Sequence, residues 1–335
     1  MKLKKQAVTI QDVAKAVGVS VTTVSRALNG KIDIASETQA NIMAVIQKLG
    51  YTTNLAARSM RSHTKNLIGL VVPDIGLYST KILRGINKAI AESKFDLMIY
   101  TTGNAQKYGA AMHEQRFVSL LANSITDGVI VVASASAEFN VDAPIVAVDP
   151  HVINPKYPSV QGMNYQGSLD IMEYLIGLGH RRIGFICGRK DISGAERRLE
   201  GYRDAVITAG LELDESLIAN GDFTQETAHQ SARQLLESAR PPTAIFAAND
   251  QSAMGVFQAA KELGLRIPED LSVAGFDNIL ESKYLGLTTV DQFLGEMGYL
   301  AVKMLIKLID GEPIQLDIHK MRTKLVIRSS CQSIL

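Results

Sequence analysis

The stretch Thr9 to Asn29 admits two short helices around a tight turn and little else. Val13, Ala14 and Val17 fall on one helical face at i, i+1 and i+4. Thr9 can cap that helix, and Asp12 three residues on supplies a weaker form of the capping box. Gly18 supplies the turn, because it takes positive φ without steric cost. Ser20 then caps a second helix, in which Val24 and Leu28 share a face. A third helix is expected to open at a Ser36 cap, with Gln39 in the capping-box position. It turns Ile42, Val45, Ile46 and Leu49 inward and stops at Gly50. Three short helices around so small a core make a helix-turn-helix domain, whose second helix is shaped to lie in the major groove of DNA.

Charge points the same way. Residues 1–65 carry ten Lys and Arg against Asp12, Asp33 and Glu37, a net +7, whereas the whole chain carries +1 and the remainder therefore −6. A basic end on a near-neutral protein suits a polyanion-binding head on an ordinary soluble body. These charges interleave with an apolar helical pattern, unlike a solvated basic tail.

The 335 residues suffice for two or three folding units. No apolar run reaches the roughly eighteen residues of a membrane span, and Asp12 and Lys15 interrupt any N-terminal export signal. The expected location is the cytoplasm, with no membrane partner. Cys187 and Cys331, far apart in sequence, are expected to be buried or incidental thiols.

The body alternates strands and helices. Strands are predicted at Leu67–Val72, Leu97–Tyr100, Gly128–Val132, Ile145–Val148, Ile183–Cys187, Ala244–Ala247 and Leu271–Ala274. Helices are predicted at Ile82–Ala91, around Glu114–Leu121, near Gly167–Leu178 and at Glu196–Ala209. Such alternation implies parallel sheets covered on both faces, in two lobes of about a hundred residues. Ligands of such folds bind at the carboxyl ends of the strands. Asp74, Asp149, Asn249 and Asp277 each follow a strand, although an Asp there also serves simply as a turn former or helix cap.

An enzyme fits the sequence poorly. The glycines around Gly177, Gly179 and Gly184 have the wrong spacing for a dinucleotide fingerprint and precede a strand. No phosphate loop, serine elbow or metal-binding helix is present, so neither cofactor nor metal is expected, and His180 and His229 are isolated. A transport-type binding protein would share the body but not the basic head.

The run VTIQDVAKAVGVSVTTVSRALNG, followed by GYTTNLAARSMR, resembles the head and hinge of the lactose/galactose repressor (LacI/GalR) family. The resemblance continues to about Arg328 through LGHRRIGFICG, RLEGYRDA, AIFAANDQSAMG, PEDLSVAGFDN and LTTVDQ, all in the expected order. It implies a periplasmic-binding-protein-like core of two Rossmann-like lobes, with the chain crossing between them three times. The expected divisions are a head at 1–53, a hinge at 54–65 and an effector-binding and dimerisation body at 66–335. Within the body, the first lobe takes about 66–162 and 292–322, the second about 163–291 and 323–331.

The resemblance assigns roles. Val21, Thr22 and Arg26, at i, i+1 and i+5 of the second helix, would read base edges, Arg26 by a bidentate pair with guanine. Thr9, Ser20, Thr23, Ser25, Asn29 and Asn54 would hold phosphates. Residues from Asn54 to about Ser62 would form a hinge helix only on DNA, being too short to stand alone in water. There Met60 would wedge into the minor groove with Ala57 beside it. In the body, Arg198, Asn249 and Asp277 match positions that bind effector hydroxyls, and Phe223 a position where a ring packs on the effector. The turn Asp74-Ile75-Gly76-Leu77-Tyr78-Ser79 lacks the Asn-Pro-aromatic run common in the family, and Tyr78 stands in for that aromatic. Met163 replaces a more usual Asp. The hinge lacks the customary Pro before Asn54, and Met60 replaces a more usual Leu. The expected protein is a homodimeric repressor on a pseudo-palindromic operator, controlled by a sugar or polyol, with a purine the runner-up. The final residues carry no heptads, so a dimer is expected rather than a tetramer.

Overall fold

The computed structural model describes residues 8–28, 34–51, 65–103, 110–313 and 318–335. The chain divides into two compact units, Met1–Lys65 and Asn66–Leu335, each with its own core.

In the first unit, α1 (Ile10–Val17), α2 (Val21–Leu28) and α3 (Ser36–Leu49) enclose Val13, Ala14, Val24, Ala27 and Ile42. The Thr9 cap is a complete capping box: the Asp12 carboxylate accepts from the Thr9 amide at 2.8 Å, and the Thr9 hydroxyl accepts from the Asp12 amide at 3.4 Å. The Thr9 amide and the Thr9 hydroxyl both donate to the Asp12 carboxylate and hold it below its usual range. Gly18 and Gly50 end α1 and α3 in the left-handed conformation, at φ 77° and 65°. The expected Ser36 cap is corrected. Ser36 is already helical, Ala35 precedes it in an extended conformation, and no side chain caps the helix.

The second unit begins with β1 (Leu67–Val72), α4 (Leu77–Ala91), β2 (Asp96–Thr101), α5 (Ala110–Leu120), β3 (Gly128–Val132), β4 (Ile145–Val148) and β5 (Ser159–Gly162). It continues with α6 (Asn164–Gly177), β6 (Ile183–Ile186), α7 (Ser193–Thr208), β7 (Ile218–Ala219), α8 (Gln225–Leu236), β8 (Ala244–Ala247), α9 (Asp250–Glu262), β9 (Ser272–Ala274) and α10 (Leu280–Tyr284). It closes with β10 (Thr289–Asp291), α11 (Leu294–Ile309), β11 (Ile318–Met321) and β12 (Lys324–Val326).

One sheet runs β11-β5-β4-β3-β1-β2 and another β7-β6-β8-β9, every pairing parallel. Strands β1, β3 and β4 are buried along their full length, which explains their unbroken apolar runs. The chain leaves the first sheet after β5, returns after β10 through α11 and β11, and leaves again after β11. An antiparallel pair, β10 with β12, binds the last two crossings to each other.

In the first lobe, α11 lies on α4 at backbone contact. A Cβ on Gly85 would stand 1.7 Å from the Gly295 carbonyl oxygen, and one on Gly298 2.4 Å from that of Ile82. Among the described residues, no helix is long and apolar enough to cross a membrane.

Candidate functional site

Two surfaces matter. On the head, Thr22 and Arg26 are exposed one turn apart on α2, while Val21 is half-buried against the head's core. Thr9 and Ser20 are exposed at the N-termini of α1 and α2. The Ser20 hydroxyl accepts from the Thr23 amide at 3.0 Å and stands 2.8 Å from the Thr23 hydroxyl. Thr23 and Ser25 are half-buried. The exposed face of α2 therefore offers one long cationic side chain, one short hydroxyl and capped amides, the inventory that base edges and phosphates require. Asn29, Asn54, Ala57 and Met60 lie outside the described residues.

In the body, four candidate residues converge. Arg198, on α7, is 4% exposed, and Asp277, after β9, is 3% exposed. An Arg198 Nη lies 3.4 Å from the Asp277 carboxylate. The guanidinium is fixed by donating to the Asn164 side chain at 2.8 Å and to the Ala248 carbonyl, and it lies 3.9 Å from the Phe276 ring centroid. Asp277 also accepts from the Gln292 side-chain nitrogen at 2.7 Å. Burial pushes the Asp277 carboxyl up to about 7; Arg198 pulls it down, and Asp250 and Asp149 push it further up.

From the first lobe, the Tyr78 hydroxyl donates to Asp149 at 2.5 Å. Burial raises the Tyr78 phenol well above its ordinary range, with Asp149 and Asp277 adding and Arg198 opposing. These four side chains are thus within electrostatic reach of one another across the lobe boundary. Phe223 faces the same guanidinium at 5.7 Å, with its ring close over Gly188.

Asn249 and Asp74 have local duties. The Asn249 oxygen caps α9 by accepting from the Ser252 amide at 2.8 Å, and its nitrogen donates to the Phe223 carbonyl at 3.2 Å. The amide still has a second N–H and a second lone pair to offer. Asp74 is exposed, and its carboxylate accepts from the Gly76 amide at 2.7 Å to shape the turn into α4. At Asp74 the turn-forming duty is the one the structure displays.

Sequence reasoning missed the supporting residues. Asp250 is fully buried and accepts from the Ile279 amide and the hydroxyls of Ser282 and Thr289. Burial pushes its carboxyl up to about 6, with those donors pulling down. His151 accepts through its carbonyl from the Ser193 amide at 3.0 Å, joining the lobes. Asn164, Phe276 and Gln292 hold Arg198 and Asp277. A signal existed for most of these: Asp250, Phe276 and Gln292 sit inside AANDQ, AGFDN and LTTVDQ, beside the residues singled out.

A helix-turn-helix head followed by a two-lobed parallel α/β body, with polar groups gathered between the lobes, defines an effector-controlled DNA-binding regulator. Residues 9–54 match the bacterial regulatory proteins of the lacI family, and residues 172–331 match a periplasmic binding protein-like domain. The chain is 32% identical to the transcriptional repressor CytR of Escherichia coli K12 over the whole of both chains. Among solved structures, it resembles the regulator CelR in complex with cellobiose, with TM-score 0.72 and 28% identity over 96% of this chain and 99% of that one. It shares its fold with the lac repressor dimer bound to operator, with TM-score 0.82 and 23% identity over 98% of this chain and 100% of that one. The chain belongs to the LacI family of transcriptional repressors. It is a DNA-binding regulator with a small-molecule effector, not an enzyme.

Proposed function

We propose that this repressor reads its operator through Val21, Thr22 and Arg26 and answers to a neutral, hydroxyl-rich metabolite held between its lobes. Thr9, Ser20, Thr23, Ser25, Asn29 and Asn54 contact phosphate in this reading, and Ala57 and Met60 enter the minor groove. Residues 1–53 form the head, 54–65 the hinge and 66–335 the body. Two copies bind one pseudo-palindromic site, as the dimer of the lac repressor on its operator suggests. The protein works in the cytoplasm, where its operator is.

The observation that carries the effector reading is the buried Arg198–Asp277 pair facing Tyr78 and Asp149. Carboxylates accept hydroxyl protons, a guanidinium donates to ring or hydroxyl oxygens, and Phe223 covers a C–H face. That chemistry suits a sugar or polyol, the class to which the ligand of CelR belongs.

The test is a thermal-shift panel of cellobiose, ribose, ribitol and adenosine, followed by calorimetry on wild type and Asp277→Ala. The reading expects a sugar or polyol to bind and the variant to lose it, since an unsatisfied buried polar group costs about 1–3 kcal/mol. Undiminished binding by Asp277→Ala would move the pocket elsewhere. Binding of adenosine alone would favour a planar base, stacked on Phe223.

A further inference from the structure

We propose that Lys81 is a positioning residue for the effector site, holding the turn Asp277–Asn278 of the second lobe against the first. The proposal rests on the reading of Asp277 as an effector contact.

Asp277 and Asn278 are consecutive non-glycine residues at φ 104° and 51°. Such a backbone is unfavourable by itself and persists only where its surroundings over-determine it. Lys81 reaches it from α4, an element of the other lobe. Its ammonium donates to the Asn278 carbonyl at 2.7 Å, to the Asp277 carbonyl at 3.3 Å and to the Asp291 carboxylate at 3.2 Å. An ammonium has three protons, and three acceptors surround this one.

The rest of the turn is tied to the crossing segments. The Asp277 amide donates to the Val290 carbonyl at 2.8 Å. The Asn278 side chain donates to Asp291 at 2.8 Å and accepts from Arg328 at 2.6 Å. Asp291 further accepts from the Phe293 amide at 2.8 Å. Lys81 is therefore the side chain that α4 of the first lobe contributes to a knot joining both lobes and two crossings at the residue beside Asp277.

Lys81 shares its helix face with a second side chain of the site. Tyr78 lies three residues earlier, on the same helical face, and donates to Asp149 on the first lobe's wall. One helix face thus orients an acid in each lobe. An ordinary ion pair at the lobe boundary would involve Asp291 alone; the two backbone carbonyls of the turn are what make Lys81 a positioning group.

The experiment uses the full-length, ligand-free protein and its Lys81→Met and Lys81→Arg variants. Amide hydrogen exchange is compared at Asp277 and Ile279, whose amides bond to Val290 and Asp250, and in β8 as an internal reference. Lys81→Met is expected to lose protection about tenfold or more at 277–279 with β8 unchanged, and Lys81→Arg to restore most of it. Unchanged exchange at 277–279 overturns the proposal, and so does an equal loss in β8, which signals general destabilisation. Calorimetry with whichever of cellobiose, ribose, ribitol or adenosine binds wild type adds the functional arm. There Lys81→Met weakens binding and Lys81→Arg recovers it. If Asp277→Ala binds that compound as wild type does, the effector reading fails on its own while the exchange result for Lys81 stands.

Discussion

The Arg198 guanidinium lies 3.4 Å from the Asp277 carboxylate, and each side chain is 5% exposed. Arg198 comes from α7 and Asp277 from the turn after β9, so the pair ties that helix to a strand end of the second sheet. Removing Arg198 takes away the cation that holds the Asp277 carboxyl down, so the acid passes to its protonated form, and the cost is that of leaving buried polar groups without a hydrogen-bond partner, about 1–3 kcal/mol. Arg198→Ala is expected to fall in that range, because Asn164 and the Ala248 carbonyl lose their donor too. Arg198→Lys keeps the charge but loses the fork and the stacking on Phe276, and should recover only part of the loss. Calorimetric melting of the ligand-free body measures both. An Arg198→Ala protein as stable as wild type would mean that the pair contributes nothing to the fold.

The pH dependence follows from the same carboxyl. Burial raises Asp277 from 3.8 to about 7, so between those values the folded state binds a proton that the unfolded state has released. The contribution is fully present below about pH 4 and is lost as pH rises through 7. One proton limits the slope to about 1.4 kcal/mol per pH unit. Asp250, raised to about 6, acts in the same sense. Wild type is expected to lose stability from pH 4 to 7 more steeply than Asp277→Asn, as denaturant midpoints at several pH values would reveal. Parallel curves for the two proteins would remove Asp277 as the titrating group.

Packing of α11 on α4 gives a third expectation, free of charge effects. Gly85 has no room for a methyl group, since the Gly295 backbone would stand 1.7 Å from it. Gly85→Ala must push the helices apart and disturb the first lobe's core around Ile82, Ile86, Met297 and Ala301. Overpacking of this kind costs about 1–3 kcal/mol. Gly177→Ala, where a Cβ meets nothing within 4 Å, is the control and should change little. A comparison of melting temperatures decides the matter, and equal effects at the two sites would refute the close-contact argument.

Local pattern made most of the fold legible. The capping box at Thr9, the left-handed glycines after α1 and α3, and the apolar runs of β1, β3, β4 and β8 are short-range signals. What escaped detection depends on distant pairing. Strand β11 reads Ile-His-Lys-Met and carries no strand pattern; it is a strand because β5 lies alongside. Strands β10 and β12 are three residues each and exist through each other. The site divides the same way. Asp277 and Asn249 were visible as polar residues after strands, yet position alone does not separate a ligand contact from a helix cap, and Asn249 does cap α9. Lys81 gave no signal, since a lysine on an amphipathic helix ordinarily faces water, and only the neighbouring lobe gives it three acceptors.

The head carries the last prediction. Arg26 and Thr22 are the exposed long and short polar groups on α2, whereas Val21 is half-buried in the head's core. Substitution there should therefore separate into readout and packing. Arg26→Ala is expected to cost about 1–3 kcal/mol of operator affinity and to relax preference at one base pair in each half-site. Val21→Ala should change preference and also lower the head's stability, because it removes core contacts. Asp12→Ala, which breaks the capping box without touching α2, should lower the head's stability modestly. Its effect on DNA should be uniform, weakening all sequences alike. Binding selection from a random duplex pool, run with each variant alongside melting of the isolated proteins, separates these outcomes. If Arg26→Ala selects the same sequences as wild type with undiminished affinity, α2 does not read the operator through that residue.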